Sequence, residues 1–254
     1  MKPLAAFTWG YWGWGNAAPE LVKAVDALER TRGFKPPLFA DIRLSRSVRA
    51  PGFRDRAFEE LVGPARYVWM PKLGNQRFRT GGMELHDATG ARDLLDAIVS
   101  ASKEPRRVIF FCACESPNRV DGCHRYLARE ALLREAKRAR VPLTVQEWPG
   151  TAPSGKVDLV VKADEACAEA LRRDLDWIPL PPTVKLPQLA ALPFGALVKF
   201  QTSGEPVHAL AAEVRFRKGG WYLRRLDATA ADPRALVAAA SRRRRGLELQ
   251  PRAT

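Results

Sequence analysis

Short apolar runs that alternate with segments of helical period constrain the fold of this chain more than any other feature. Residues 108–111 are β-branched and aromatic, as in a buried strand, and a 3.6-residue apolar repeat follows from about Cys123. Similar strand-like runs occur near residues 4–9, 38–42, 67–69 and 143–148. Strands that alternate with helices predict an α/β domain with a mainly parallel sheet and helices on both faces.

The pattern changes after residue 150, so we expect two domains in the 254 residues, one over residues 1–150 and one over residues 151–254. Residues 148–156 are rich in Pro, Gly and Ser, which predicts a linker. Five prolines between residues 179 and 193 predict a stiff connector. Three strand-like runs and a final helix from Asp232 predict a small, basic C-terminal domain of α+β or β-rich class.

The formal net charge of +14 predicts an affinity for polyanions, with nucleic acid or a nucleotide as the expected partner. A purely solubilising surface is the alternative. The run Arg242, Arg243, Arg244 and Arg245 is the candidate nucleic-acid contact. Four unevenly spaced cysteines do not form a secretory framework, and no apolar run approaches eighteen residues. We therefore expect a cytoplasmic protein with no membrane partner.

The turn between the strand at residues 108–111 and the following helix is the candidate functional site. Ligands of open α/β sheets bind at the carboxyl ends of strands, where this turn must lie, and Asp121 is placed to cap the helix. Ends of the first two strands should meet it there. The candidate catalytic residues are Asp41, Cys112, Glu115, Cys123 and His124, and the candidate anion-binding residues are Thr8, Gly10, Arg43 and Arg125.

Three interpretations of this site remain open from the residues alone. Helix amides with His124, Arg125 and Arg43 can hold a phosphate, and Cys112 or Cys123 can act as a nucleophile near them. Alternatively, three cysteines and His124 offer soft metal ligands, but C-x-C-x₈-C-H is not a standard zinc spacing, so we expect no bound metal and no cofactor. A structural role for buried cysteines is the third interpretation.

Four ordered elements in the first 150 residues resemble the domain of unknown function family numbered 488. The matched residues are Thr8, Trp9, Gly10 and Tyr11; Asp41, Ile42, Arg43, Ser45, Ser47, Pro51 and Phe53; Tyr67, Pro71, Leu73 and Gly74; and Cys112, Glu115, Cys123, His124 and Arg125. The loop before Cys123 is longer than the family pattern and contains an extra Cys114, and residues after 150 lie outside it. The resemblance implies an α/β domain that gathers these elements at one sheet edge, with a suspected link to nucleic-acid or nucleotide metabolism.

Two functional hypotheses follow. The first is a nucleic-acid-associated enzyme in which Asp41, Glu115 and His124 supply acid or base groups. The second is a non-catalytic module that binds nucleic acid or a protein partner. Aromatic residues at positions 9–14 can stack a base or pack over the sheet, and the aperiodic loop at residues 76–90 is long enough to suggest a functional role.

Overall fold

The computed structural model describes residues 3–12, 14–114, 123–150, 157–192 and 196–225, and it divides into two compact units, Met1–Gly150 and Thr151–Thr254. The N-terminal unit contains, in chain order, β1 (Leu4–Gly10), α1 (Ala18–Thr31), β2 (Lys35–Asp41), α2 (Ala57–Val62), β3 (Tyr67–Trp69), α3 (Gly90–Ser102), β4 (Arg106–Cys112), α4 (His124–Arg138) and β5 (Leu143–Glu147).

The strands of the N-terminal unit form a parallel sheet in the order β3-β2-β4-β1-β5. Alternate residues of β4 point to opposite faces, so Val108 and Phe110 pack with α3 and α4 while Phe111 faces the other side. There Phe111 meets Phe58 of α2, with 5.1 Å between the ring centroids. Both faces of the sheet are therefore covered, which confirms the predicted α/β class.

The aromatic face of the sheet is covered by rings from α2, from the segment before it and from the residues after β1. Phe53 stacks on Phe58 at 4.6 Å and on Tyr11 at 3.9 Å between ring centroids, and all three side chains are buried. Burial of each large apolar side chain contributes about 1.5–3 kcal/mol. The polypeptide that follows β2 is therefore held against the carboxyl edge of the sheet.

The C-terminal unit contains, in chain order, β6 (Val157–Lys162), α5 (Glu165–Arg172), β7 (Trp177–Leu180), α6 (Leu186–Ala190), β8 (Ala196–Gln201), β9 (Val207–Arg217) and β10 (Gly220–Arg225). Its sheet has the order β6-β8-β9-β10-β7, with β6 and β8 parallel and the other pairs antiparallel. Positive φ angles at Lys218 and Gly219 form the two-residue turn that joins β9 to β10.

Two sequence predictions need correction. The proline-rich segment is not a simple connector, because Pro179 lies in β7 and Pro187 in the first turn of α6. An edge strand and a helix start both tolerate a residue without an N–H group. The cap of α4 is Cys123 rather than Asp121, since the Cys123 side chain accepts a hydrogen bond from the Arg125 amide.

The described residues contain no helix that is long and apolar enough to span a bilayer. The predicted final helix from Asp232, the residues of the predicted linker after Gly150, and Pro193 lie outside the described residues.

Candidate functional site

The carboxyl edge of the N-terminal sheet gathers most of the residues that the sequence marks as functional. Strand register pairs Gly10 with Cys112 and Asp41 with Phe111, so β1, β2 and β4 end side by side. Strand β4 ends at Cys112, and α4 begins at His124. This edge is the expected position of a ligand site in an open parallel sheet.

Asp41 and Arg43 form a buried ion pair at this edge. Arg43 Nε donates to Asp41 Oδ1 at 2.7 Å, and Arg43 Nη2 donates to Asp41 Oδ2 at 2.5 Å. Arg43 Nη1 donates to the Phe53 carbonyl oxygen at 2.8 Å and to the Tyr11 hydroxyl oxygen at 3.1 Å. The Tyr67 hydroxyl donates to Asp41 Oδ2 at 2.6 Å. All three nitrogens of the Arg43 guanidinium therefore donate hydrogen bonds to protein groups.

The tyrosines of this network stay protonated at neutral pH. Burial raises the pKa of the Tyr11 hydroxyl to about 12. Burial, together with the Asp41 carboxylate, also raises the pKa of the Tyr67 hydroxyl. Each hydroxyl can therefore donate a hydrogen bond. The network is buried and stabilises the carboxyl edge of the sheet. It does not present Arg43 or Asp41 to a ligand in solution.

Arg125 is also committed to protein partners. Its side chain is 1% exposed, its Nη1 donates to Glu147 Oε1 at 2.7 Å, and its Nε donates to Cys123 Sγ at 3.2 Å. Glu147 in turn accepts a hydrogen bond from the Thr8 hydroxyl. Among the described residues, Arg125 Nη2 has no hydrogen-bond partner. Arg43 would have to break its contacts to anchor a phosphate, and the one uncommitted nitrogen of Arg125, Nη2, is buried.

Glu147 is a site residue that the sequence did not single out. It ends β5, next to Trp148, and it links β5 to both β1 and α4 through Thr8 and Arg125. The sequence does contain one indication of this role, because Glu147 is a lone carboxylate at the end of a predicted strand. A carboxylate there becomes a natural partner for an arginine that starts the neighbouring helix.

Three cysteines and one histidine converge between β4 and α4. Cys112 Sγ lies 3.5 Å from Cys123 Sγ, and Cys114 Sγ lies 3.9 Å from His124 Nδ1. One donor atom from each of the four residues lies within 4.8 Å of the others. Cys112, Cys123 and His124 are buried, whereas Cys114 is partly exposed. The cluster includes Cys114, which the family pattern lacks.

The environment of this cluster shifts its ionisable groups in opposite directions. Burial raises the pKa of the Cys112 thiol. Hydrogen bonds from Cys112 and Cys114 lower the pKa of the Cys123 thiol, and the Arg125 guanidinium acts in the same direction. Burial lowers the pKa of His124, so its imidazole is neutral. The cluster can therefore offer a thiolate and a neutral imidazole.

Exposed aromatic side chains surround the buried core of the edge. Trp12 follows β1 and is 51% exposed, Trp69 ends β3 and is 41% exposed, and Phe78 in the following loop is 56% exposed. The guanidinium carbon of Arg46 lies 4.7 Å from the Trp69 ring centroid, and that of Arg79 lies 5.3 Å from the Phe78 ring centroid. Arginine and aromatic groups are thus paired at the surface.

The other rings of the aromatic run have a packing role. Trp9, Tyr11 and Trp14 are buried, which agrees with the prediction that aromatic residues cover the sheet end. Only Trp12, of the described rings in that run, is open to a base.

Asn75 shapes the loop that carries Phe78. Its Oδ1 accepts hydrogen bonds from the amides of Arg77 at 3.1 Å and Glu84 at 3.0 Å, and its Nδ2 donates to the Gly82 carbonyl oxygen at 3.0 Å. The base of the loop packs closely against the residues that follow β2. Gly74 lies so near the backbone of Leu44 that a Cβ atom at position 74 would be 2.5 Å from the Leu44 nitrogen. The loop is therefore a defined structure, and Phe78 lies near its tip.

Two groups of predicted site residues lie outside the part of the chain that the structure describes. Glu115 and the run Arg242 to Arg245 lie outside the described residues, so their acid/base and nucleic-acid roles stay predictions.

Comparisons with protein-family models, curated proteins and solved structures found no match for this chain. The resemblance to the unknown-function family 488 therefore stays a prediction from its sequence elements.

Proposed function

We propose that the N-terminal unit binds single-stranded nucleic acid along the carboxyl edge of its sheet, as a non-catalytic binding module. The observation that carries this proposal is the set of exposed rings of Trp12, Trp69 and Phe78 at one sheet edge, two of them with a guanidinium beside the ring. Stacking of unpaired bases on exposed aromatic rings is the usual contact of proteins that bind single strands without sequence preference.

The loop that carries Phe78 offers both an exposed ring for stacking and guanidinium groups for phosphates. Arg77 and Arg79 flank Phe78 in sequence and are exposed. The Arg79 guanidinium lies beside the ring, whereas Arg77 is paired with Glu84, so a base on Phe78 would bring its phosphates close to Arg79 first. Asn75 orders the loop before any ligand arrives. A pre-ordered ring loses little conformational entropy on binding, which favours affinity.

The positions of the rings favour an extended ligand. Trp69 ends β3 at one border of the sheet, and Trp12 follows β1, which lies three strand spacings away, about 14 Å. Exposed Arg49, Arg54 and Arg56 belong to the segment between β2 and α2, which also carries Arg46. An extended polyanion with flat bases matches rings and cations distributed along an edge.

The charge of the chain and the sequence resemblance both support a nucleic-acid partner. A formal net charge of +14 draws polyanions to the molecule and adds an affinity that depends on salt. The suspected link of the unknown-function family 488 to nucleic-acid metabolism points the same way. A cytoplasmic location fits this proposal, since none of the four cysteines forms a disulfide.

The enzymatic alternative has less support. A phosphate-binding nucleophile needs cations that are open to the ligand, whereas Arg43 and Arg125 are buried and bonded to Asp41 and Glu147. Cys112 and Cys123 are buried as well. A binding module requires none of these groups to be accessible.

The test is binding of a labelled oligothymidine of about 20 nucleotides, which exceeds a typical site size. Fluorescence anisotropy would be measured for the full-length parent, Phe78→Ala, Trp12→Ala and Arg79→Gln. We expect Phe78→Ala to weaken binding about tenfold or more, because one base loses its stacking partner. Quenching of tryptophan fluorescence in the parent should report contact with Trp12 and Trp69.

Matched controls are Leu61→Ala, which removes an exposed apolar side chain from α2, and Arg92→Gln, which removes an exposed cation from α3. Both should bind like the parent. The proposal is wrong if the parent does not bind the single strand, if it binds a duplex of equal length more tightly, or if Phe78→Ala and Arg79→Gln match their controls.

A further inference from the structure

One possible ligand atom from each of four side chains between β4 and α4 lies within 4.8 Å of the others, and two of the distances among them are close to those of a tetrahedral metal site. With zinc bonds of about 2.3 Å to sulfur and 2.0–2.1 Å to nitrogen, ligand atoms of a tetrahedron lie about 3.8 Å apart for two sulfurs and about 3.6 Å for sulfur and nitrogen. The distances here are 3.5 Å between Cys112 Sγ and Cys123 Sγ and 3.9 Å between Cys114 Sγ and His124 Nδ1. No rearrangement larger than a few tenths of an ångström separates these pairs from that geometry.

The imidazole of His124 is held in the tautomer that a metal needs. Its Nε2 lies 3.3 Å from the carbonyl oxygen of Ile42. A carbonyl oxygen can only accept, so Nε2 must carry the proton, and Nδ1 of the neutral ring then presents a lone pair toward Cys114. Metal-binding histidines are commonly fixed in this way by a carbonyl or carboxylate behind the ring.

The sulfur atoms are also placed to accept hydrogen bonds as thiolates. The Cys114 amide donates to Cys112 Sγ at 3.2 Å, and the Arg125 amide donates to Cys123 Sγ at 3.4 Å. Arg125 Nε adds a third N–H at 3.2 Å from Cys123 Sγ. A divalent ion with three thiolates carries one net negative charge, and the buried guanidinium of Arg125 lies against it.

The backbone explains how adjacent residues can share one ion. Cys123 is the N-cap of α4 and is extended, with φ −153° and ψ 127°, whereas His124 begins the helix. Ligand atoms of these two adjacent side chains lie within 4.8 Å of each other at this change of backbone conformation. The unusual spacing of the four residues, from which we expected no metal, is therefore no obstacle in the folded chain.

We propose that Cys112, Cys114, Cys123 and His124 bind one Zn²⁺ ion with all four positions filled by protein. Zn²⁺ suits this ligand set because it accepts soft sulfur and imidazole donors in a tetrahedron. A site with four protein ligands is structural, and it ties the end of β4 to the start of α4. Binding displaces the protons that the cysteine thiols still carry, and the partly exposed Cys114 offers a route for the ion.

The first measurement is elemental analysis of the full-length protein purified under reducing conditions without an affinity tag, where we expect one zinc per chain. The second is a titration of reduced, chelator-stripped protein with Co²⁺. Saturation at one ion per chain should produce thiolate-to-cobalt charge-transfer absorption and the intense d–d bands of a tetrahedral site.

The variant Cys114→Ser removes the most exposed of the four proposed ligands. It should weaken Co²⁺ binding at least roughly tenfold and reduce the charge-transfer absorption, because one thiolate is lost. Cys167→Ser is the matched control, since it removes the thiol of α5 in the other unit and should bind like the parent.

The titration of the parent needs no variant and decides the proposal by itself. Failure of the reduced parent to saturate at one Co²⁺ per chain would overturn it. Iron in place of zinc at the same stoichiometry would overturn the choice of metal. Equal Co²⁺ spectra for the parent and Cys114→Ser would overturn the ligand set.

Discussion

At the scale of single residues, the carboxyl edge of the sheet is supported by two buried arginines whose charges are matched. Arg43 is bonded to Asp41, and Arg125 is bonded to Glu147. Buried guanidinium groups are tolerated only when nearby acceptors replace the lost water. The charged residues that look most like ligand contacts in the sequence therefore stabilise the structure beneath the surface.

The substitution Asp41→Asn should destabilise the protein by about 3–5 kcal/mol, because it leaves Arg43 buried without a carboxylate. Urea denaturation followed by tryptophan fluorescence would measure the change. Asp96→Asn is the matched control, since Asp96 forms an exposed pair with Arg92 and should change stability very little. An unfolding midpoint of Asp41→Asn equal to that of the control would contradict the supporting role of this pair.

At the scale of elements, the strand ends position the surface that we assign to nucleic acid. Register places Trp9, Phe111, Asp41 and Trp69 in one row across β1, β4, β2 and β3. Within this row the rings of Trp9 and Phe111 are buried. The residues that follow β1 and β3 carry the exposed rings of Trp12 and Phe78. The loop after β3 depends on one buried amide, that of Asn75.

Replacement of this amide in Asn75→Ala should loosen the loop without unfolding the sheet. Three hydrogen bonds to backbone groups are lost, two of which satisfy amide N–H groups, so we expect a local loss of about 1–3 kcal/mol. Hydrogen exchange of residues 76–85, measured by mass spectrometry, should accelerate at least about fivefold. Nucleic-acid binding should weaken in parallel.

Thr80→Ala is the control for this loop, because Thr80 is exposed and its hydroxyl makes only a 3.5 Å contact with the Arg77 carbonyl oxygen. Exchange in the loop should then match the parent. If Asn75→Ala exchanges like Thr80→Ala, the loop is ordered by something other than the amide.

At the scale of the whole molecule, two units with separate sheets share a strongly basic chain. The N-terminal unit has a fully parallel sheet, and the C-terminal unit has a mixed one. Long-range attraction depends on the summed charge of +14 rather than on either sheet. Salt dependence therefore reports the electrostatic part of binding independently of stacking.

Affinity for the oligothymidine should fall steeply as salt rises, with about 0.7 counterions released per phosphate contact. Deletion of residues 241–254 removes the run Arg242 to Arg245, which lies outside the described residues, and should make the slope shallower by up to about 3. Deletion of residues 247–254 is the control that keeps this run. Equal slopes for the parent and both truncated chains would show that the run makes no phosphate contact.

The sequence by itself determined the architecture of the N-terminal unit. The apolar run at residues 108–111 and the helical repeat after Cys123 are local patterns, and each pattern has a single way to bury its apolar side chains. The rule that parallel strands end at one edge then predicts that Asp41, Cys112 and Cys123 lie close together. The hairpin after Arg217 is equally local, because its turn depends on two residues with positive φ angles.

Only the tertiary structure decided what each side chain at that edge does. The carboxylate partner of Arg125 is Glu147 on another strand, so no local pattern reveals that the charge of Arg125 is already matched. Arg43 has its carboxylate partner two residues away, but its contacts with Tyr11 and Phe53 arise only in the folded chain. The convergence of Cys112, Cys114, Cys123 and His124 depends on where a helix begins relative to a strand end. Distances between residues far apart in sequence arise from packing of whole elements, which periodicity along the chain does not encode.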